Sequence, residues 1–247
     1  QEKRQNIKLT KDEIEIISEK YRKLRLYYTK MLSSFDLIHF NSSITEKIYK
    51  KYFQPKKSKV LTISHKDISD KRKINKWEYA GKLRITCLAP AKAFKGFYIL
   101  KEALDSLWKS GKCDFELKIY GVVPERSPYM KVVEEGFAPM DLQSIFEETD
   151  ILVAVSLWYE TFGFTVLEAL SYGVPVIVSD HVGAKDIIGE GGIIVKAGDI
   201  ENLKITLDSL NEEKLKELRE GVQTSVYIKT WKQFLAENYR LYTDVIK

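Results

Sequence analysis

The chain has 247 residues, of which 44% are hydrophobic and 12% aromatic, enough to bury a core in one large domain or in one domain plus part of another. Thirteen Gly and six Pro exclude a low-complexity or collagen-like chain, and no run approaches the roughly 18 apolar residues that cross a bilayer. The net charge of +5 is uneven: residues 1–80 carry 20 basic and 10 acidic side chains, a balance of +10, and residues 81–247 carry −5.

A basic excess confined to one third of the chain suits a partner of its own, such as anionic lipid headgroups or a polyanionic acceptor. An ordinary solvated lysine-rich surface is nevertheless the first expectation. No nucleic-acid module accompanies the charge, so nucleic acid is not expected. No charged-then-apolar leader is visible, and Cys87 and Cys113 lie beside apolar runs, as buried thiols of a reducing compartment would. The expected location is cytoplasmic, or peripheral on the inner face of the membrane through residues 1–80.

Within those residues Ile14, Ile17, Tyr21, Leu24, Tyr28, Met31 and Phe35 recur at alternating spacings of three and four, one stripe of an amphipathic helix. The stripe is expected to pack on a core, the alternative being a membrane surface, because Lys20, Arg22, Lys23, Arg25 and Lys30 lie between its members. An apolar run (37–40), a helix signal (43–52) and a strand signal (60–63) follow. One helix and one β–α–β piece look like the end of a domain, not a whole one.

From about residue 83 short β-rich runs alternate with helical segments. Strands are expected at 83–88, 115–120, 151–155, 176–179 and 193–195, several of them near-continuous apolar runs that suit a parallel sheet buried on both faces. Helices are expected at 97–110, closed by Gly111, at 140–148, and at 165–172, closed by Gly173. One or two more fall in 199–220, opening at Asp199 as N-cap. This is a doubly wound, Rossmann-like α/β sheet, spanning 81–226. Residues 227–247 then place Trp231, Phe234, Leu235, Tyr239, Leu241, Tyr242 and Val245 mostly on one face of a closing helix, expected to dock on a surface.

The stretch with chemistry in it is 156–177, Ser-Leu-Trp-Tyr-Glu160-Thr-Phe-Gly163-Phe-Thr-Val-Leu-Glu168-Ala-Leu-Ser-Tyr-Gly173-Val-Pro175-Val-Ile. It follows a buried strand and so lies at the carboxyl end of the sheet, where open α/β folds bind ligands. Gly163 lets backbone approach a ligand and opens the next helix. The N–H groups near Phe164, Thr165 and Val166 would then face outward as an anion site suited to a diphosphate. Glu168, one turn inside that helix, could accept hydrogen bonds from a ribose diol, and Glu160 could address a second set of hydroxyls. Two glutamates eight apart mean little alone; the strand–loop–helix frame makes the spacing specific.

This run resembles the E-x7-E region of the GT-B-fold retaining glycosyltransferases, in particular family GT4 (group 1). The resemblance continues through Val176–Asp180, Gly183, Gly192 and Gly198-Asp199. Upstream, Lys95-Gly96 resembles the family's Lys-Gly, and Gly121 and Gly136-Phe137-Ala138 resemble its loops around the base. The terminal Trp231…Tyr239…Tyr242 resembles the family's closing helix, which returns to the other domain. The resemblance implies that Glu168 holds the ribose and that Glu160, with backbone at Phe162 and Gly163, holds the donor sugar near its anomeric carbon. It also implies that Phe164, Thr165 and Val166 meet the diphosphate, that Lys95 neutralises leaving-group charge, and that Gly121, Phe137 and Ala138 lie by the nucleotide. The substrates would be a UDP-, GDP- or ADP-sugar and a glycan or lipid-linked acceptor, with no cofactor and no metal.

Two departures qualify this. Where the family has Gly-Arg, this chain has Leu88-Ala89-Pro90-Ala91-Lys92; Lys92 could substitute as a point charge but lacks an arginine fork. Only the tail of an N-terminal acceptor domain is present, in residues 1–80, so donor binding is expected of this chain and catalysis only with the rest of a longer protein. A non-catalytic partner subunit that keeps the pocket, or a nucleotide-sugar epimerase, are the alternatives. His65 is expected on a linker surface, His181 in a loop beside the site, and His39 in the core.

Overall fold

A strand covered on both faces has no polar side to show, so the near-continuous apolar runs become the inner strands of a parallel sheet. The computed structural model describes residues 10–74 and 76–246; residues 1–9 of the basic segment, Asn75 and Lys247 lie outside the described residues. Two short strands, β1 (Ile38–Phe40) and β2 (Ser58–Val60), pair in parallel near the start, flanked by helices α1 (Lys11–Ser34) and α2 (Ser43–Tyr49). The larger sheet holds β3 (Leu83–Cys87), β4 (Phe115–Tyr120), β5 (Met130–Val133), β6 (Ile151–Ala154), β7 (Val176–Ser179) and β8 (Gly192–Val195). Helices α3 (Phe97–Lys109), α4 (Leu142–Glu147), α5 (Phe164–Ser171), α6 (Ile200–Asp208), α7 (Glu212–Ser225) and α8 (Trp231–Ile246) complete the chain.

The six strands run in parallel in the order β5-β4-β3-β6-β7-β8. This is the expected doubly wound sheet. The order reverses between β3 and β6, which opens a crevice at their carboxyl ends. Alternation along the strands feeds two core layers. Ile151 and Val153 of β6 and Ile177 of β7 pack with α3 and α6, while Leu152, Val176 and Val178 pack with α5 and Val222 of α7.

The chain between β2 and β3 is strapped to this sheet. Arg72 donates to the carbonyls of Val222 and Val226, and Lys71 N–H to Ser171. Lower down, the fully buried Asp150 accepts from Trp77 Nε1 (2.7 Å), Arg84 N (2.7 Å) and Arg84 Nη2 (2.6 Å), and Arg219 lies over the Trp77 ring at 4.4 Å. The first piece docks at the other end: Ser42 Oγ donates to the Thr161 carbonyl (2.8 Å), and Ser43 N and Oγ both donate to Asp186 (2.6 Å each).

Several expectations need correction. The early strand is 58–60 and not 60–63, because its partner is β1, in the register Ile38↔Ser58. The edge strand β5 has no counterpart among the expected strands. The α1 stripe does not pack on a core: no residue of α1 is buried, and Tyr21 keeps 59% of its surface. The aromatic face of α8 is largely open too, with Trp231, Tyr239 and Tyr242 exposed. Leu241 is buried, and α8 does return to the first piece, where Leu241, Tyr242 and Val245 line a groove with Leu32, Phe35 and Ile38. Cys87 is buried but Cys113 only half-buried, and His39 is half-buried at that same groove rather than in the core. Among the described residues no helix is long and apolar enough to cross a membrane.

Candidate active site

Three segments converge on the crevice between β3 and β6. A 3-10 turn after β3, Ala93–Lys95, is held by the Phe94 carbonyl, which accepts from Leu157 N (2.9 Å), Trp158 N (3.0 Å) and Ser156 Oγ (3.1 Å). Gly96 follows with φ +81°, and a Cβ there would collide with the Val155 carbonyl. The turn can therefore lie flat on the end of β6 only with glycine at this point. The result is Lys95 Nζ 2.9 Å from Glu160 Oε1, with both side chains about one quarter to one fifth exposed (26% and 20%).

Glu160 is fixed through its backbone. Its N–H donates to the His181 carbonyl (3.0 Å), its carbonyl accepts from Gly183 (3.1 Å), and the Phe162 carbonyl accepts from Ala184 (2.7 Å). The loop after β6 is thus stitched to the loop after β7 as a short parallel ladder. His181 supports it from outside, with Nδ1 2.9 Å from the Leu157 carbonyl and its ring 3.9 Å from that of Tyr159.

Gly163 then turns the chain into α5 with φ +112°. Its Cα faces Val182, and the Glu160 Oε2 atom lies just beyond, so the carboxylate hangs over the mouth of the helix. The amides of Phe164 and Thr165 open α5, where unpaired N–H groups and the helix dipole favour an anion. The Val166 N–H is turned to the Gly163 carbonyl (3.2 Å) and is less suited to a ligand. Leu88, Ala89, Pro90, Lys95, Ser156, Glu160 and Gly163–Val166 line a cavity of about 220 Å³. Ligand sites run to roughly 300–1,000 Å³, so this cavity is smaller than a typical one. A cavity of about 360 Å³ lies at the amino ends of the strands, lined by Leu83, Asp114, Phe115 and Leu207–Asn211. It is the wrong end of an α/β sheet for a ligand.

Glu168 sits one turn inside α5, and burial pushes its carboxyl above the ordinary range against the pull of His65 and Lys71. His65, expected on a linker surface, instead reaches this helix. It is no surface residue: its side chain is 28% exposed, its Nε2 lies 3.4 Å from Glu168 Oε1, and its ring meets the edge of Phe164 at 5.1 Å. Of the other expected residues, Phe162 is buried behind the cavity (2% exposed). Gly121, with Phe137 against Tyr120 at 5.6 Å and the Ala138 N–H on Asp141, lies at the carboxyl end of β4, outside the cavity lining. Lys92 is exposed and outside the lining as well, because the 3-10 turn carries Lys95 inward and leaves the residue before it on the surface.

A strand–turn–helix of this geometry, at the switch point of a doubly wound sheet, is the ligand-binding end of an open α/β domain. A family model described as glycosyl transferases group 1 matches residues 82–230, and the chain belongs to that family. It is 30% identical over 105 residues to the O-antigen chain mannosyltransferase B of Escherichia coli, which is 42% of this chain and 26% of that relative. It is 35% identical over 71 residues to an uncharacterized 41.2 kDa protein of the cps region of Klebsiella pneumoniae, covering 28% of this chain and 20% of that protein. The chain thus matches only about a quarter or less of the length of these relatives. Among solved structures it resembles sucrose-phosphate synthase of Thermosynechococcus elongatus (TM-score 0.70, 17% identity, 91% of this chain and 62% of that one). It also resembles the Anabaena protein HepE, solved with UDP and glucose (TM-score 0.67, 17% identity, 89% and 67%). At these identities the structural likeness establishes the GT-B fold.

Proposed function

We propose that this chain is the donor-binding part of a retaining glycosyltransferase that moves a sugar from a nucleotide-sugar to a glycan or lipid-linked acceptor in polysaccharide or glycoconjugate synthesis. The observation that carries this is Lys95 paired with Glu160 above the opening of α5. A fixed cation and a helix N-terminus on one spot favour charge that builds on a departing diphosphate, so no metal is required for that task. Glu160 would meet the hydroxyls of the donor sugar, and Glu168 those of the ribose. The small cavity supports a donor enclosed only when a second domain closes over it, with the acceptor arriving from that side. The likeness to a mannosyltransferase of O-antigen assembly supports the acceptor class.

The test is calorimetric titration with UDP-, GDP- and ADP-sugars, followed by assay of transfer and hydrolysis in the full-length protein. One donor should bind. Lys95→Ala should lower turnover about 100-fold or more, the usual cost of removing a fixed stabiliser of developing charge. Glu160→Gln should lose turnover while keeping affinity for the bare nucleoside diphosphate, and NMR of the product should show the anomeric configuration of the donor. Absence of binding by all three donors, or wild-type turnover in Lys95→Ala, would refute the proposal.

A further inference from the structure

A buried nitrogen without a hydrogen-bond partner is uncommon and needs a reason. His65 Nε2 is such an atom, and it points at Glu168 Oε1 from 3.4 Å. The other ring nitrogen, Nδ1, faces the backbone N–H of Asp67 (3.4 Å) and the Asp67 carboxylate (3.7 Å), so a hydrogen on Nε2, toward Glu168, suits both ends of the ring whether or not Nδ1 carries one as well. The distance to Glu168 is too long for a good hydrogen bond and short enough to become one with a few tenths of an ångström of movement.

The ring is not free to swing. Phe164 meets it edge-on. On one side of His65 the Ser64 hydroxyl donates to the Lys229 carbonyl (2.7 Å). On the other side Ile68 is buried in the core, the Lys71 N–H donates to Ser171 (2.8 Å), and Lys71 Nζ donates to the Tyr172 hydroxyl (2.9 Å). Ser171 and Tyr172 end the same helix that carries Glu168. The linker is therefore held on both sides of His65, by the segment before α8 on one side and by the end of α5 on the other.

We propose that His65 is a positioning residue of the donor site. Its Nε2–H holds one oxygen of the Glu168 carboxylate, so that the other is presented, ionised, to the 2′- and 3′-hydroxyls of a ribonucleotide. The segment joining the two domains then contributes directly to the preference for ribose. This rests on the proposed role of Glu168, and a ligand that fills the pocket supplies the movement that closes the 3.4 Å gap.

The experiment titrates the full-length protein with UDP, GDP and ADP and with the 2′-deoxy form of whichever binds best. Glu168→Gln should lose most of the preference for the ribose form. His65→Phe keeps a ring against Phe164 but has no donor; its affinity should fall about tenfold, the worth of one hydrogen bond to a charged group, and its ribose preference should collapse with it. His65→Gln, whose amide nitrogen reaches the position of Nε2, should restore both to within about threefold, a small fraction of such a bond. If His65→Phe does not fold, as judged by its melting transition, His65→Asn replaces it, polar but too short to reach. Loss of ribose preference in Glu168→Gln with full preference in His65→Phe overturns the role of His65 alone. So does weaker binding in His65→Phe with the preference intact, which is what a packing role would give. Preference retained in Glu168→Gln, or no binding at all, overturns the role of Glu168 and that of His65 with it.

Discussion

Replacing Gly163 by alanine tests whether the start of α5 is built for a ligand or is only a bend. Its φ of +112° lies where side chains are rarely found, and an added Cβ would stand 3.1 Å from Val182 Cγ1, a residue only 1% exposed. Strained backbone costs about 1–3 kcal/mol, and forcing a methyl into packed surroundings adds about 1 kcal/mol or more. In a domain of this size each kcal/mol lowers the melting temperature by about 2–4 °C, so a drop of roughly 5–15 °C is expected. Gly111→Ala is the control: its φ of +90° is also positive, but nothing lies within 4 Å. It should lose only the conformational part, about 1–2 kcal/mol. Melting is followed by fluorescence and nucleoside diphosphate affinity by calorimetry. Gly163→Ala should weaken binding at least about tenfold, since the strained turn and the crowded Val182 displace the helix mouth, equivalent to about 1.4 kcal/mol; Gly111→Ala should not. A Gly163→Ala protein that melts with the wild type, or binds as tightly, refutes the geometry assigned to this turn.

Three further outcomes follow from buried charges and thiols. Burial raises the Glu168 carboxyl above its ordinary range, although Lys71 and His65 pull it down and Asp67 pushes with burial. A raised carboxyl favours the neutral form in the fold, so wild-type stability falls as pH climbs through that range; Glu168→Gln should match the wild type below about pH 4 and exceed it at pH 7, and equal stability at both would count against the burial. Asp150→Ala leaves Arg84, Arg219 and Trp77 Nε1 around an empty buried position and should cost about 3–5 kcal/mol, measured by urea unfolding; a loss under 1 kcal/mol would show the pair to be dispensable. Burial pushes the Cys87 thiol up to about 11, so native protein at pH 8 should be alkylated at the half-buried Cys113 and spared at Cys87, with mass spectrometry of the peptides as readout.

The sheet was legible because its inner strands are short apolar runs between helical patterns. The missed strand, Met130–Val133, pairs on one side only, with β4, and its mixed side chains show neither a buried run nor clean alternation. The sequence pattern starts α5 one residue late, at 165 instead of Phe164, because Gly163 has no side chain to cap the helix. The periodicity of residues 14–35 gave the helix itself but could not reveal that its stripe stays open in this chain. At the site, Glu160, Gly163 and Glu168 could be read from spacing, since strand, loop and helix fix their separation. Lys92 and Lys95 could not be ranked that way, because a 3-10 turn decides which faces inward. His65 was the most hidden: it lies 103 residues from Glu168 in a linker without periodicity, and only the strapping of that linker to α5 brings the two together.

The most direct test of the central claim is a crystal structure with the nucleoside diphosphate of the tightest-binding donor. The distal phosphate is expected at the amides of Phe164 and Thr165, within reach of Lys95, and the ribose hydroxyls on Glu168. A diphosphate bound elsewhere, or a ribose turned away from Glu168, would contradict it.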